Sequence, residues 1–399
     1  MSPKHIGIMT GGGDVPGLNA AIKSVYQAAK DRGWFRKGTR DANVTGIRRG
    51  WWGAVHMGFD PETTEPVEIV PLTDEVVRTV DRYGGTFLHT SRTRPDRMRL
   101  ADLPERHRRR KKDLKRVEGK EDLFDLTDEV IRNLEGFGID CLVVIGGDDT
   151  LGYAHTLSAR NFPVVGIPKT MDNDVRGTEY AIGYKTAITR ADSFINRQRT
   201  HLASHEVVGV FRIFGRNSGF TALGTATAIS DLRCVIPEHP FDLEALSRIV
   251  NEDYESNEHN YAMVTCSEGA MWKGGELEEY GPPDAYGHRK KVNVGETLAE
   301  AIGRITGRPT RVQDVTYDLR SGAPDAIDKI VANTFGYLAV ELIAQDKTDR
   351  MVCLQGGLYS HTELPDPARG SRRVNVQEGY DTDRFRPRLS GMMGKPVFI

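Results

Sequence analysis

The strongest constraint on what this chain can fold into is the run Val143-Val144-Ile145-Gly146-Gly147-Asp148-Asp149-Thr150, an apolar strand that ends on paired glycines and two adjacent carboxylates. A second run of the same kind follows as Val164-Val165-Gly166-Ile167-Pro168-Lys169-Thr170-Met171-Asp172-Asn173-Asp174. Both read as strand ends opening into polar loops, the place where open α/β sheets bind ligands. Two carboxylate loops at one sheet edge predict a metal-assisted reaction.

The 399 residues suffice for two or three domains. With 54 Lys and Arg against 56 Asp and Glu, no global field favours nucleic acid or membrane, so local positive groups must hold any anionic ligand. Cys141, Cys234, Cys266 and Cys353 are far apart and lie in or beside apolar runs, which predicts buried free thiols rather than a metal cluster. No secretory apolar region follows Met1 and no apolar run approaches membrane-spanning length, so a soluble cytoplasmic protein is expected.

Strand and helix patterns alternate along the chain. Residues 5–10 read as a strand, Gly11-Gly12-Gly13-Asp14 as a turn, and 17–30 as a helix with Ala20, Ala21, Ile22, Val25 and Ala28. Residues 46–58 read as a loop between short strands, with Trp51 and Trp52 packing rather than binding, and 72–83 as a helix. Residues 106–116 carry eight Lys and Arg but no interleaved aromatics, and an acidic stretch follows at 118–129; a solvated insertion is expected rather than a nucleic-acid arm. A helix through 130–134, a strand at 141–145 and helices at 151–157 and 178–194 come next. Then follow a strand at 207–214, a small-residue helix at 221–229 and a strand at 233–236; the alternation resumes over 243–250, 261–266, 295–306 and 311–319. This succession predicts two Rossmann-like three-layer α/β domains facing a shared cleft. Their expected bounds are 1–175 and 176–355, with a chain crossover allowed between them, and 356–399 as a covering extension.

The loops carry the chemistry. Gly11 to Gly17 joins a strand to a helix and bares backbone amides to a phosphate, although a plain turn reads equally well; neither the dinucleotide fingerprint nor the Walker loop is present. Asp148 and Asp149 repel each other unless a hard divalent cation, naturally magnesium, offsets them; the alternative is a solvated turn that caps a helix from Leu151. Asp172 or Asp174 can accept the proton of an attacking sugar hydroxyl while Lys169 sets a charge against a polyphosphate, the pair of roles in direct phosphoryl transfer. The spacing of Asp172, Asn173 and Asp174 does not match a calcium-binding EF-hand. Arg92, Arg216, Arg311 and Arg320 stand in or near polar element ends as candidate phosphate clamps, and Glu268 as an acceptor for sugar hydroxyls.

Together Gly12-Gly13-Asp14, Gly146-Gly147-Asp148-Asp149-Thr150, Pro168-Lys169-Thr170-Met171-Asp172-Asn173-Asp174, Gly215-Arg216 and Ser267-Glu268-Gly269-Ala270 resemble the phosphofructokinase family over almost the whole chain. The resemblance implies the phosphofructokinase fold and transfer of a phosphoryl group to O1 of fructose 6-phosphate. It makes Asp172 the base, Asp148 the magnesium-linked carboxylate and Asp174 an assistant to both, with Lys169 and Arg92 catalytic through charge. Gly12, Gly13, Asp149, Thr150 and Lys169 would bind the donor; Thr170, Gly215, Arg216, Glu268, Arg311, Tyr317 and Arg320 would bind the sugar phosphate. Tyr317 stands where bacterial ATP-using members commonly have a histidine, and Val207 where many have an arginine, for which Arg212 is the candidate substitute.

ATP-specific members usually carry glycines at the positions of Asp149 and Lys169. The resemblance therefore implies the pyrophosphate-dependent class, with Asp149 occupying the space of a nucleotide α-phosphate and Lys169 pairing with pyrophosphate. A reversible reaction, a homodimer or homotetramer, and neither nucleic acid nor membrane as partner are further expectations. The alternatives are an ATP-dependent enzyme, a preference for sedoheptulose 7-phosphate, and a catalytically silent sugar-phosphate sensor.

Overall fold

The computed structural model describes residues 4–59, 66–109, 112–275, 279–280, 290–291 and 294–395. The strands Ile6–Thr10, Cys141–Gly146 and Val164–Pro168 are buried along their whole length. Their side chains alternate between two cores: Ile6, Ile8, Val143 and Ile145 enter one, Met9, Leu142 and Val144 the other. A sheet buried on both faces is the environment parallel strands require.

That sheet has seven strands in the order Leu358–Glu363, Arg350–Gln355, Val164–Pro168, Cys141–Gly146, Ile6–Thr10, Val44–Ile47 and Ile69–Pro71. The five central strands are parallel and the two edge strands antiparallel. The chain leaves Ile6–Thr10 towards one edge and later returns on its other side through Cys141–Gly146. The carboxyl ends of these two strands form the point where strand order reverses, the position at which such sheets open a ligand crevice. Thr10 pairs with Ile145 and Pro168 with Gly146, so three consecutive loops start level at this rim.

A second sheet of four parallel strands runs in the order Leu232–Val235, Ala262–Ser267, Val208–Ile213 and Thr310–Asp314. Phe211 and Ile213 join the core that contains Ile6 and Ile8, whereas Val208 and Val210 pack with Leu246, Val250, Leu298 and Ile302 of two covering helices. All four cysteines are buried free thiols. No helix among the described residues is long and apolar enough to cross a membrane.

Several expectations need correction. Residues 50–56 form a helix, not a loop; Trp51 is fully buried, donates its indole N–H to the Thr150 carbonyl at 3.2 Å and packs edge-on to Tyr153 at 4.6 Å, while Trp52 stacks on His56 at 3.7 Å. The helix expected over 72–83 is one turn, Asp74–Val77, then a tighter turn at Val80–Arg82, because Lys23 from the neighbouring helix binds the Arg78 carbonyl and Asp81. The helix expected from 178 begins at Tyr184 and runs to His205. The segment 311–319 divides into the strand Thr310–Asp314 and a turn at Tyr317–Arg320.

The basic stretch 106–116 is only partly solvated. The Arg106 guanidinium turns inward to the carbonyls of Val55 at 2.9 Å and Met57 at 3.2 Å, and Lys115–Val117 pairs with Lys120–Asp125; residues 110 and 111 lie outside the described residues. The boundary drawn at 355 leaves Arg350–Gln355 with the second unit, whereas its hydrogen bonds to Val164–Pro168 put it in the first sheet. The hairpin partner Leu358–Glu363 extends that sheet rather than covering it.

Candidate active site

The three level loops and two from the second sheet enclose a cavity of about 230 Å³. From the first sheet come Gly12, Gly13, Asp148, Asp149, Thr150, Lys169, Thr170, Asp172 and Asp174, with Arg92 at the rim; from the second come Arg216, Asn217 and Glu268, with Arg320 following the last strand. The loop that carries Arg92 is fixed to the glycine turn, since the Gly12 N–H donates to the Ser91 carbonyl at 3.0 Å and the Thr90 hydroxyl to the Gly12 carbonyl at 2.6 Å.

The glycine turn is bare for steric reasons on this side of the cleft. Gly12 has φ +80°, and a Cβ there would lie 3.2 Å from the Lys169 ammonium; a Cβ on Gly13 would lie 2.8 Å from the Arg320 guanidinium. Both cations thus approach the backbone where a side chain would exclude them. The Lys169 ammonium donates to the Gly13 carbonyl at 2.6 Å and is almost fully buried. Burial, reinforced by Arg320, brings its pKa down to about 7 although Asp14 and Asp174 pull the other way.

Asp148 and Asp149 are the first two residues of the helix Asp148–Ser158, and Gly147 holds the capping position with no side-chain bond. Neither aspartate is therefore the cap of a helix starting at Leu151. The helix N-terminus favours negative charge at both positions. Even so, burial, with Asp149 adding to it, raises the Asp148 pKa to about 6, and neither Asp148 oxygen completes a hydrogen bond. A buried carboxylate with both oxygens unsatisfied fits a hard cation. Among the described residues no group of three or more His, Cys, Asp or Glu side chains forms a metal-ligand set, so a cation here would keep water and take phosphate oxygens, as magnesium does.

Asp172 and Asp174 flank Asn173, which sits at φ +53° with its side chain fully engaged: it donates to the Glu179 carbonyl at 2.9 Å and accepts from the Ala181 N–H at 2.9 Å. The Thr170 hydroxyl accepts from the Asp172 N–H at 3.1 Å. The left-handed residue turns both carboxylates the same way, into the cleft. Burial and the nearby Glu268 raise the Asp172 pKa to about 7, and Asp174 is pushed well up by burial, Asp172 and Asp148. The Asp172 Oδ1 has no hydrogen-bond partner. A base poised near neutrality with one free oxygen can take a proton from a hydroxyl.

Arg320 stacks on Phe214 at 4.3 Å, which fixes its guanidinium over the glycine turn. Gly215 lies behind the cleft, where its carbonyl accepts from the Gly269 N–H at 3.1 Å and so sets the turn carrying Glu268. Arg311 and Tyr317 do not line the cavity: both are exposed, Tyr317 at 72 %, although Tyr317 meets Phe214 edge-on at 5.7 Å. Val207 is a core residue, and Arg212 is engaged within the chain by Asp314 at 2.5 Å and Glu268 at 3.5 Å. Sequence reasoning missed Asn217 and Ser371 as lining residues. Asn217 adjoins Arg216 in the same polar turn, a readable signal; Ser371 lies in a Gly-Ser-Arg-Arg stretch with none.

Comparison with known proteins identifies the family and the fold. Residues 5–343 match the family described as Phosphofructokinase. The chain is 33 % identical over 392 residues to the pyrophosphate--fructose 6-phosphate 1-phosphotransferase of Thermoproteus tenax, covering 97 % of this chain and 99 % of that one. It is 31 % identical over 372 residues to the ATP-dependent 6-phosphofructokinase 3 of Streptomyces coelicolor, covering 93 % and 96 %. The crystal structure of a pyrophosphate-dependent phosphofructokinase from Marinobacter aquaeolei superposes with a TM-score of 0.71 at 19 % identity over 98 % of this chain and 90 % of that one, a likeness of fold. Relatives named for either donor are thus about equally similar to this chain. This chain belongs to the phosphofructokinase family.

Proposed function

We propose that this protein transfers a phosphoryl group from pyrophosphate to O1 of fructose 6-phosphate, reversibly and with magnesium. The observation that carries the donor assignment is the pair Asp149 and Lys169, which line one cavity beside the glycine turn. Asp149 opposes a longer polyphosphate by charge and by volume, and Lys169 offers its ammonium to the compact anion.

The sugar phosphate would lie against Thr170, Arg216, Glu268 and Arg320. Asp172 accepts the O1 proton as O1 attacks phosphorus; the bridging P–O bond breaks and inorganic phosphate leaves with the electron pair. Arg92 and Lys169 face the charge that spreads over the transferred group, and positioning with charge stabilisation supplies most of such catalysis. Asp148 would hold magnesium, which supplies charge shielding on the donor oxygens. In reverse the protonated Asp172 returns its proton to O1.

Steady-state assays with pyrophosphate and ATP offered separately test the donor; equal or better kcat/KM with ATP overturns the assignment. The similarity to enzymes named ATP-dependent gives that second reading its support. Replacing Asp149 and Lys169 together by glycine is expected to lower kcat/KM for pyrophosphate by about 100-fold or more, as loss of a buried charge contact does, while raising it for ATP. The exposure of Arg311 and Tyr317 supports a homo-oligomer, dimer or tetramer, in which they meet a neighbouring copy; a monomer in sedimentation velocity overturns this.

A further inference from the structure

Residues 366–374 cross the molecule beside the cleft. At one end Pro367 packs on the Asp148 helix so closely that a Cβ on Gly152 would lie 2.6 Å from it. In the middle the Arg176 guanidinium donates to the carbonyls of Arg369 at 2.9 Å, Gly370 at 3.0 Å and Ser371 at 3.5 Å. The Arg372 N–H donates to the Asp174 carbonyl at 2.7 Å, and its guanidinium reaches the carbonyls of Asn173 at 3.2 Å and Glu179 at 3.3 Å while stacking on Phe220 at 4.3 Å. At the far end the Val374 N–H donates to Glu238 at 2.9 Å, and Glu238 also accepts from the Gly219 N–H at 3.0 Å.

The backbone of this crossing is thus secured without the Ser371 side chain, yet Ser371 lines the cavity together with Asp148 and Asp149. A small hydroxyl is therefore presented to a carboxylate whose oxygens complete no hydrogen bond. We propose that Ser371 is a positioning residue of the donor half of the cleft, its hydroxyl orienting the Asp148 carboxylate and the Arg176 anchor holding that hydroxyl in place. The role rests on the reading of the cleft as a phosphoryl-transfer site.

Calorimetric titration of the full chain with magnesium pyrophosphate, and separately with magnesium ATP, tests this. For the donor that the wild type binds, Ser371→Ala is expected to weaken binding about ten-fold, the effect of losing one hydrogen bond to a charged group. Ser371→Thr, which keeps the hydroxyl, restores it, and fructose 6-phosphate affinity stays unchanged in both. Arg176→Ala, which removes the anchor on the Arg369, Gly370 and Ser371 carbonyls and leaves the Ser371 side chain itself unaltered, reproduces the donor defect. Unchanged donor binding in Ser371→Ala, no rescue by threonine, or equal loss of donor and sugar overturns the role. A wild type that binds neither donor overturns the phosphoryl-transfer reading and this role with it, a result distinct from a wild type that binds and a variant that binds equally well.

Discussion

Asp172 and Lys169 carry opposite charges that burial opposes in both cases, and each is brought to about 7. Glu268, Arg320 and Lys169 face Asp172; Arg320, Asp14, Arg92 and Asp174 face Lys169. On the proposed mechanism turnover needs Asp172 ionised and Lys169 protonated, and the two conditions overlap only around neutrality. The expected kcat/KM profile for the donor is a narrow bell near pH 7, with limits that belong to the coupled cluster, and Lys169→Met removes the alkaline limb. The sign for folding is the reverse of the usual carboxylate case. Native Asp172 keeps a proton that the unfolded chain releases near 3.8, so its contribution to stability is present at low pH and lost as pH rises towards 7. Lys169 releases in the native state a proton that the unfolded chain holds to 10.5, so its penalty is relieved as pH rises from 7 to 10.5. Asp172→Asn is therefore expected to cut kcat by about 10² to 10⁴ while raising Tm at neutral pH, in paired kinetic and thermal measurements. These residues were legible because each is a charged side chain in the loop that directly follows an apolar strand. Arg311 was singled out from its place at a polar element end and Tyr317 through family resemblance, and a side chain's distance from its own cleft leaves no mark in sequence.

At the scale of elements, one buried carboxylate explains where a helix starts. Asp328 accepts from the Tyr180 hydroxyl at 2.6 Å, the Gly183 N–H at 2.8 Å, and the Thr186 N–H at 2.8 Å and hydroxyl at 2.5 Å. These bonds hold residues 180–183 in a turn and delay the helix to Tyr184, against the periodic pattern that predicts it from 178. The turn in turn meets the loop that carries Asp172, since the Thr170 N–H donates to the Ile182 carbonyl at 3.2 Å. Asp328→Ala leaves several buried donors unpaired and is expected to cost about 3 kcal/mol or more in chemical denaturation. Asp328 belongs to the helix Ala326–Ala344, the longest element to which sequence reading assigned nothing. Its start was readable, since Asp325 caps it by accepting from the Asp328 N–H at 2.8 Å. Its body was not, because Val331, Phe335, Ala339, Val340, Leu342 and Ile343 are all buried and leave little polar face to reveal a period.

For the whole molecule, strand and helix alternation made the two-sheet class legible, and strand ends marked the shared rim. The return of the chain to its first sheet was not legible, because strand order is decided by long-range pairing rather than by local pattern. A cleft built from both sheets should be strengthened by whatever fills it. Fructose 6-phosphate at 100 times its Kd is expected to add about 2.7 kcal/mol, read as a rise in Tm. Chelating magnesium is expected to abolish turnover while leaving the circular dichroism spectrum and the ligand-free Tm unchanged, because Asp148 is a single carboxylate at the cleft rather than a structural cage.

The place of Arg350–Gln355 beside Val164–Pro168 has a consequence for biosynthesis. As the polypeptide emerges from the ribosome, the amino-terminal half must wait with one flank of its central layer bare, and its opening helix also waits for Ala326–Ala344 to lie against it. A nascent fragment ending near residue 175 would expose apolar surface meant for partners not yet synthesised, so the first half is completed last.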